Sequence, residues 1–464
     1  MHAGITRRQF LAAASAAPCL RPLWCRAGEA TPTRRPNILF FLADDQRNDT
    51  LGCAGHRIVR TPVIDRLAAA GVRFDNAFVT TPICAASRAS LFTGLAERTH
   101  RYTFGTPPVA GTFARASYPM LLRQAGYRTG FFGKYGVDME VKPEEMFDEF
   151  SLQFRPYHLN GRHIDEINTD RAIAFLHSSG TTQPFCLSVC FGSPHGDDGN
   201  KTPGQTGHYP VIPAAMDMYR DVKVPLPRLS APAVFNALPE FLKTSEGRIR
   251  FFWCLDTPEK YQKNMQAYFG MISGIDIMIG RVLKTLHEQG LDDNTVIIYT
   301  ADNGLFMGER GLSGKWNHYE QSLRVPLIIC DPRLRAAQRG RVVGPMALNI
   351  DIPATVLDYA GVKIPRHYQG FSLAPLVRGG TVGSWRADFC CEHLMNSETI
   401  PKWEGVRGQR FVYARYFGQT PPYEFLHDLK SDPDELVNLA TKGTHKGVLD
   451  GMRTRRWQSG RDLV

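Results

Sequence analysis

The sequence predicts an α/β fold: a large mixed, mostly parallel sheet sandwiched by helices, followed by a smaller C-terminal α+β domain. Three observations carry this reading. Continuous apolar runs such as Asn37–Ala43 and Val296–Thr300 read as strands buried on both faces, as parallel strands are. Ahead of the second run, Tyr268, Met271, Ile272, Ile275, Ile279, Val282, Leu283 and Leu286 recur at helical spacing, with Gly290 closing the helix. Toward the C-terminus the pattern changes to alternation, in Arg410–Phe417 and then Tyr423–Leu429, the mark of antiparallel strands.

The chain has 464 residues, enough for one large domain and one small one. Its 43% hydrophobic and 22% charged content is that of an ordinary globular protein. The formal charge is +10 without any long Lys/Arg run, so no nucleic-acid partner is expected, whereas an anionic substrate is compatible with the charge. Ten cysteines in a chain of this length do not make a disulfide framework; most read as buried thiols, with one or two bridges left open.

Taken in order, the N-terminus reads Thr6-Arg7-Arg8-Gln9-Phe10-Leu11 and then turns alanine-rich. Twin arginines ahead of a modest apolar stretch predict a Tat-type signal peptide and linker over residues 1–30, cleaved after Ala27 or Ala30. The apolar run is too short to span a bilayer, so no integral membrane segment is expected. The Tat export machinery becomes an expected partner, and the mature protein is expected to be periplasmic or extracellular.

The apolar run Asn37–Ala43 ends in Asp44-Asp45. Adjacent carboxylates at a strand end repel unless they are solvated or neutralised by a cation, so the pair reads as a polar loop or as metal ligands. Cys84-Ala85-Ala86-Ser87-Arg88-Ala89-Ser90-Leu91-Phe92-Thr93-Gly94 has the composition of a short helix ended by glycine. Cys84 would sit near its N-terminus, where free N–H groups favour negative charge, and Arg88 would share its face one turn on. The run Arg128–Gly133 leads into Lys134, and Phe185–Phe191 leads through Gly192-Ser193-Pro194 to His195. Thr169–His177 between them reads as an amphipathic helix. Residues 197–262 show no strong period and read as an excursion that shapes access to a site. The strand Val296–Thr300 ends in Asp302-Asn303-Gly304, Gly314-Lys315-Trp316 follows, and Asn349–Leu357 opens another helix. Four polar clusters (Asp44-Asp45, Lys134, His195, Asp302-Asn303) thus follow buried strands. Ligands of open α/β sheets bind at the carboxyl ends of strands, so the four are expected to converge.

The stretch from Cys84 to Gly94 resembles the signature of the type I sulfatases of the alkaline phosphatase superfamily, Cys-x-Pro/Ala-x-Arg followed by Leu-x-Thr-Gly. The resemblance runs from about residue 36 to 440 and implies an alkaline-phosphatase-like catalytic domain over 36–370 and a small antiparallel-sheet domain over 375–464. It implies that Cys84 is oxidised by a formylglycine-generating maturation enzyme and that the hydrated aldehyde is the nucleophile. It further implies one Ca²⁺ per chain, with Mg²⁺ as the alternative, held by Asp44, Asp45, Asp302, Asn303 and residue 84, an all-oxygen set suited to a hard cation. Arg88 would support the nucleophile, Lys134 and Lys315 would bind the sulfate, and His195 would protonate the departing alcohol. The family's Gly-Lys-x-His element departs here, with Gly136 where the histidine stands. Glu392-His393 and Glu404-Gly405-Val406-Arg407 resemble glycan sulfatases, which implies a sulfated carbohydrate substrate; His393 reads either as a sugar contact or as a surface histidine. Two other functions fit the same residues: a phosphonate monoester or phosphodiester hydrolase of the superfamily, and a non-catalytic homologue that binds sulfated glycans.

Overall fold

The structure, a computed structural model, describes residues 34–180, 182–380 and 382–461. The twin-arginine segment lies outside the described residues. An eight-stranded sheet runs through the molecule in the spatial order Arg341–Val343, Val72–Phe74, Leu327–Cys330, Thr295–Ala301, Asn37–Ala43, Phe185–Cys190, Arg128–Gly133 and Glu149–Ser151. Its centre is parallel: Asn37–Ala43 pairs in parallel with both Thr295–Ala301 and Phe185–Cys190, and the latter pairs in parallel with Arg128–Gly133. Leu327–Cys330 is antiparallel to both of its neighbours, which makes the sheet mixed.

The two apolar faces follow from the alternation of side chains along a strand. Phe131 meets Phe92 of the helix Cys84–Thr93, while its neighbour Phe132 meets Phe175 of the helix Ile164–Ser178. Helices therefore cover both faces, and every residue of Asn37–Ala43 and Thr295–Ala301 is buried. The predicted 268–286 stripe is the buried side of a longer helix, Pro258–Glu288, opened by Thr257, whose side chain accepts from the Lys260 amide. Its first turns were legible only as part of the excursion, because Pro258–Lys263 is polar and carries no period of its own. The rest of the excursion holds short helices, including Pro232–Asn236 and Glu246–Cys254.

Four antiparallel strands, Asp388–His393, Trp403–Gly408, Phe411–Tyr416 and Tyr423–Asp428, form the C-terminal sheet in chain order. Leu449 of the helix Lys446–Arg461 packs on Tyr413 and Leu426. Buried polar contacts fix this sheet to the larger domain. Trp403 Nε1 donates to the Trp316 carbonyl at 2.6 Å, Arg407 pairs with Glu320 at 3.0 Å, and His318 Nδ1 meets the Tyr416 hydroxyl at 2.9 Å. Among the described residues no helix is long and apolar enough to cross a membrane.

Candidate active site

Four adjacent parallel strands end at one level. The register pairs Ala43 with Ala301, Leu42 with Cys190, and Gly133 with Cys190. Beyond their ends the backbone is still stitched: the Asp44 amide donates to the Ser193 carbonyl at 3.0 Å, Asp302 to Ala43 at 3.1 Å, and Lys134 to Cys190 at 2.8 Å. Asp44-Asp45, Lys134, His195 and Asp302-Asn303 therefore meet in one place, and all six are buried.

Cys84 enters as the first residue of its helix, behind Ile83 in extended conformation, and Gly94 closes that helix in the left-handed region at φ 69°. Its Sγ lies 3.3 Å from Asp44 Oδ1 and 2.9 Å from Lys315 Nζ. Lys134 Nζ is ion-paired with Asp44 and Lys315 Nζ with Asp45. Ligand atoms of Asp44, Asp45, Cys84 and His195 all lie within 4.8 Å of one another. Asp302 stands just behind this group: its Oδ1 accepts the Asp45 amide at 3.1 Å and its Oδ2 takes Arg88 Nε at 2.7 Å.

Two residues that shape the cluster sit in strained backbone. Asp45 has φ 61° and Trp316, directly after Lys315, has φ 80°. A positive φ is costly for a bulky residue, and such strain persists where the surroundings dictate it. Gly136 also adopts a positive φ, 67°, and a Cβ there would come within 3.1 Å of Arg88 Cδ. The position expected to carry a histidine is thus filled by the Arg88 stem, whose Nη1 donates to the Lys134 carbonyl.

The electrostatics follow from burying like and unlike charges together. Burial opposes ionisation of Asp44, but Lys134, His195, Arg88 and Lys315 outweigh it and hold the carboxyl well below its ordinary range. Asp302 moves the other way, up to about 6, because burial and the Asp44 charge exceed the help from Arg88 and Lys134. Burial, reinforced by Asp44, pushes the Cys84 thiol far above its usual value. Burial draws His195 down to about 4 against the pull of Asp45 and Asp44. A carboxylate pair, two ammonium groups, a guanidinium and an imidazole around one small atom make a site for an anionic tetrahedral group and for attack upon it.

The same site holds residues that the sequence did not single out. Tyr157, at 4% exposure, bonds the His195 carbonyl at 3.0 Å; no periodicity or motif marks it. Asp198, within sight of His195 in the sequence, is held by Arg250 at 2.7 Å, and Arg250 lies over both Trp253 and Trp316.

His393 is corrected. It is completely buried on Asp388–His393, opposite Trp403, with neither ring nitrogen hydrogen-bonded, and burial draws its pKa down to about 3. It is not a surface histidine, and it presents nothing to a sugar in this conformation. Glu392 is likewise engaged by Arg98 and Arg407 by Glu320, so these residues join the small sheet to helices of the larger domain.

Residues 36–362 match the sulfatase family, and residues 308–461 match the C-terminal family of N-sulphoglucosamine sulphohydrolase. An N-acetylglucosamine-6-O-sulfatase of Bacteroides thetaiotaomicron is 28% identical over 94% of this chain and 87% of its own length. An arylsulfatase of Clostridium perfringens is 27% identical over 90% and 93%. A solved structure in complex with its substrate D-glucosamine-2-N,6-O-disulfate superposes with a TM-score of 0.77 at 25% identity, covering 93% of this chain and 98% of that one.

Proposed function

The chain belongs to the sulfatase family and hydrolyses sulfate esters, and we propose that it does so through a formylglycine made from Cys84, acting on a sulfated carbohydrate outside the cytoplasm. The observation that carries this reading is the place of Cys84 Sγ, on a helix N-terminus between Lys315 Nζ and Asp44 Oδ1. A plain thiol there is a poor nucleophile, since burial and Asp44 keep it protonated. An aldehyde hydrate in the same place is a different reagent, because it carries two hydroxyls on one carbon.

Water adds to the aldehyde to give the diol. One hydroxyl, losing its proton, attacks the ester sulfur; the bond from sulfur to the sugar oxygen breaks, and that oxygen takes a proton. Lys134 and Lys315 hold the sulfate oxygens and stabilise the charge they gain, and His195 delivers the proton to the leaving alcohol. The second hydroxyl then loses its proton, the carbon–oxygen bond to sulfate breaks, and the aldehyde returns. Arg88, tied to Asp302 and the Lys134 carbonyl, fixes the helix start against the strand ends.

The donor set fits a hard cation, with Ca²⁺ favoured and Mg²⁺ the alternative. Asn303 Nδ2 donates to Asp45 Oδ1 at 2.6 Å and its Oδ1 is buried without a hydrogen-bond partner, so the amide lies against the carboxylates and a half-turn of it would present the oxygen to them. Asp44, Asp45, Asp302, Asn303 and the residue-84 oxygen would hold the ion. When bound, it supplies positive charge that favours the ionised hydroxyl.

Carbohydrate is favoured by the relatives, one named for N-acetylglucosamine-6-O-sulfatase and one solved with a disulfated glucosamine. The twin arginines favour Tat export, with Cys84 converted by a maturation enzyme before the folded protein leaves. The test is sulfate release from 6-sulfated glucosamine derivatives by protein made with a formylglycine-generating enzyme, against phosphonate release from aryl phosphonates. Metal-dependent sulfate release is expected. Preference for the phosphonate, or tight glycan binding without turnover, would overturn the reading.

A further inference from the structure

His195 sits on a turn that is held from two sides. Upstream, the amides of Gly192 and Ser193 donate to the two carboxylate oxygens of Asp165 at 2.9 and 3.1 Å. Downstream, the Tyr157 hydroxyl donates to the His195 carbonyl at 3.0 Å and lies 3.4 Å from the Gly196 carbonyl. That second carbonyl matters, because it takes the ring: His195 Nδ1 lies 2.5 Å from Gly196 O. An imidazole whose Nδ1–H is committed to a backbone carbonyl presents Nε2 to whatever lies on its other side. Here Nε2 points into the carboxylate cluster, 3.7 Å from Asp45 Oδ2.

Tyr157 is suited to this task. It is buried, and burial drives its pKa well above the ordinary phenol range, so the hydroxyl remains a donor. Position 196 has no room for a side chain, since a Cβ there would lie 2.5 Å from His208 Nε2.

We infer that Tyr157 is a positioning residue for the reaction: its hydroxyl, bonded to the His195 carbonyl and 3.4 Å from that of Gly196, fixes the turn whose Gly196 carbonyl takes His195 Nδ1–H and so makes Nε2 the nitrogen offered to the leaving-group oxygen. The inference rests on the reading of His195 as the group that protonates the departing alcohol. A group that only assists proton delivery matters for a poor leaving group and hardly at all for a good one, and this separates positioning from general damage.

The experiment compares two esters on the matured, metal-loaded enzyme: 4-nitrophenyl sulfate, whose phenolate leaves unaided, and a glucosamine 6-sulfate, whose alkoxide does not. Tyr157→Phe is expected to lower kcat on the sugar ester by roughly 10-fold or more with KM little changed, and to alter the aryl ester by less than about 3-fold. His195→Ala should show the same split more strongly. Equal losses on both esters, or none on either, would overturn the role of Tyr157. If His195→Ala itself showed no split, the assignment of His195 would fail instead, and the two failures are distinguishable. Should Tyr157→Phe not accumulate as folded protein, ¹⁵N-histidine NMR of the unaltered enzyme decides. A His195 ring protonated at Nδ1 supports the inference, and one protonated only at Nε2 contradicts it.

Discussion

Two of the places where this molecule buries charge are built differently. At the seam between the small sheet and the larger domain, arginines meet carboxylates: Arg407 with Glu320, Arg98 with Glu392, Arg386 with Asp351. At the strand ends, like charges are crowded. Asp44, Asp45 and Asp302 share one cluster, Arg88 Nη2 and Asn303 Oδ1 are buried without partners, and Asp45 and Trp316 adopt positive φ. Both regions hold buried groups without hydrogen-bond partners, His393 and Glu435 at the seam among them, but only the strand ends gather three carboxylates, two lysines and an arginine around Cys84.

Breaking the second region should cost activity and little stability. Cys84→Ala is expected to abolish sulfate release, by at least about 10,000-fold, with the melting temperature unchanged or raised, measured by ion chromatography and calorimetry. Lys315→Ala removes one donor to the sulfate and the partner of Asp45, so kcat should fall on the order of 100-fold. The same variant leaves a buried carboxylate unpaired, so its stability should depend more strongly on added Ca²⁺ than that of the parent; equal dependence would argue against the metal assignment.

Breaking the seam should do the reverse. Arg407→Ala leaves Glu320 only the more distant Arg324, at 3.7 Å, beside the buried Glu435, whose pKa is already raised to about 8 by burial and Glu320. A loss of roughly 3 kcal/mol is expected in denaturant titration, with kcat per folded molecule unchanged. The smallest effect is a pH dependence carried by His427 of the small sheet. Burial draws its pKa down to about 4, so between that value and the ordinary 6.5 the unfolded chain binds a proton that the folded one does not. Stability is full above pH 6.5 and falls as pH drops through this window, by on the order of 1–2 kcal/mol at pH 5. His427→Gln should flatten the slope of melting temperature against pH; an unchanged slope would remove His427 from the account.

The sequence made the strand-end region legible and the seam obscure, for a physical reason. Parallel strands buried on both faces are written as unbroken apolar runs, and the polar residue that ends such a run marks the end of the strand. Asp44, Lys134, His195 and Asp302 could be placed that way without knowing any contact. His393 could not, because a histidine buried in an antiparallel strand has the same local sequence as an exposed one. Gly136 announced a missing side chain but not its cause, the close approach of the Arg88 stem. Tyr157 and Asp198 lie in irregular chain, where position is set by contacts with distant segments and leaves no period to read. The polar first turns of Pro258–Glu288 merged with the excursion for the same reason.

Conversion of the Cys84 thiol to an aldehyde replaces its sulfur by oxygen and removes two hydrogens, and peptide mass spectrometry tests for it most directly. Protein made together with a formylglycine-generating enzyme should yield a peptide spanning residue 84 that is lighter by about 18 Da than the unmodified one, the difference between cysteine and its aldehyde. An intact thiol at Cys84, in protein whose maturation partner demonstrably converts a control substrate, would contradict the account.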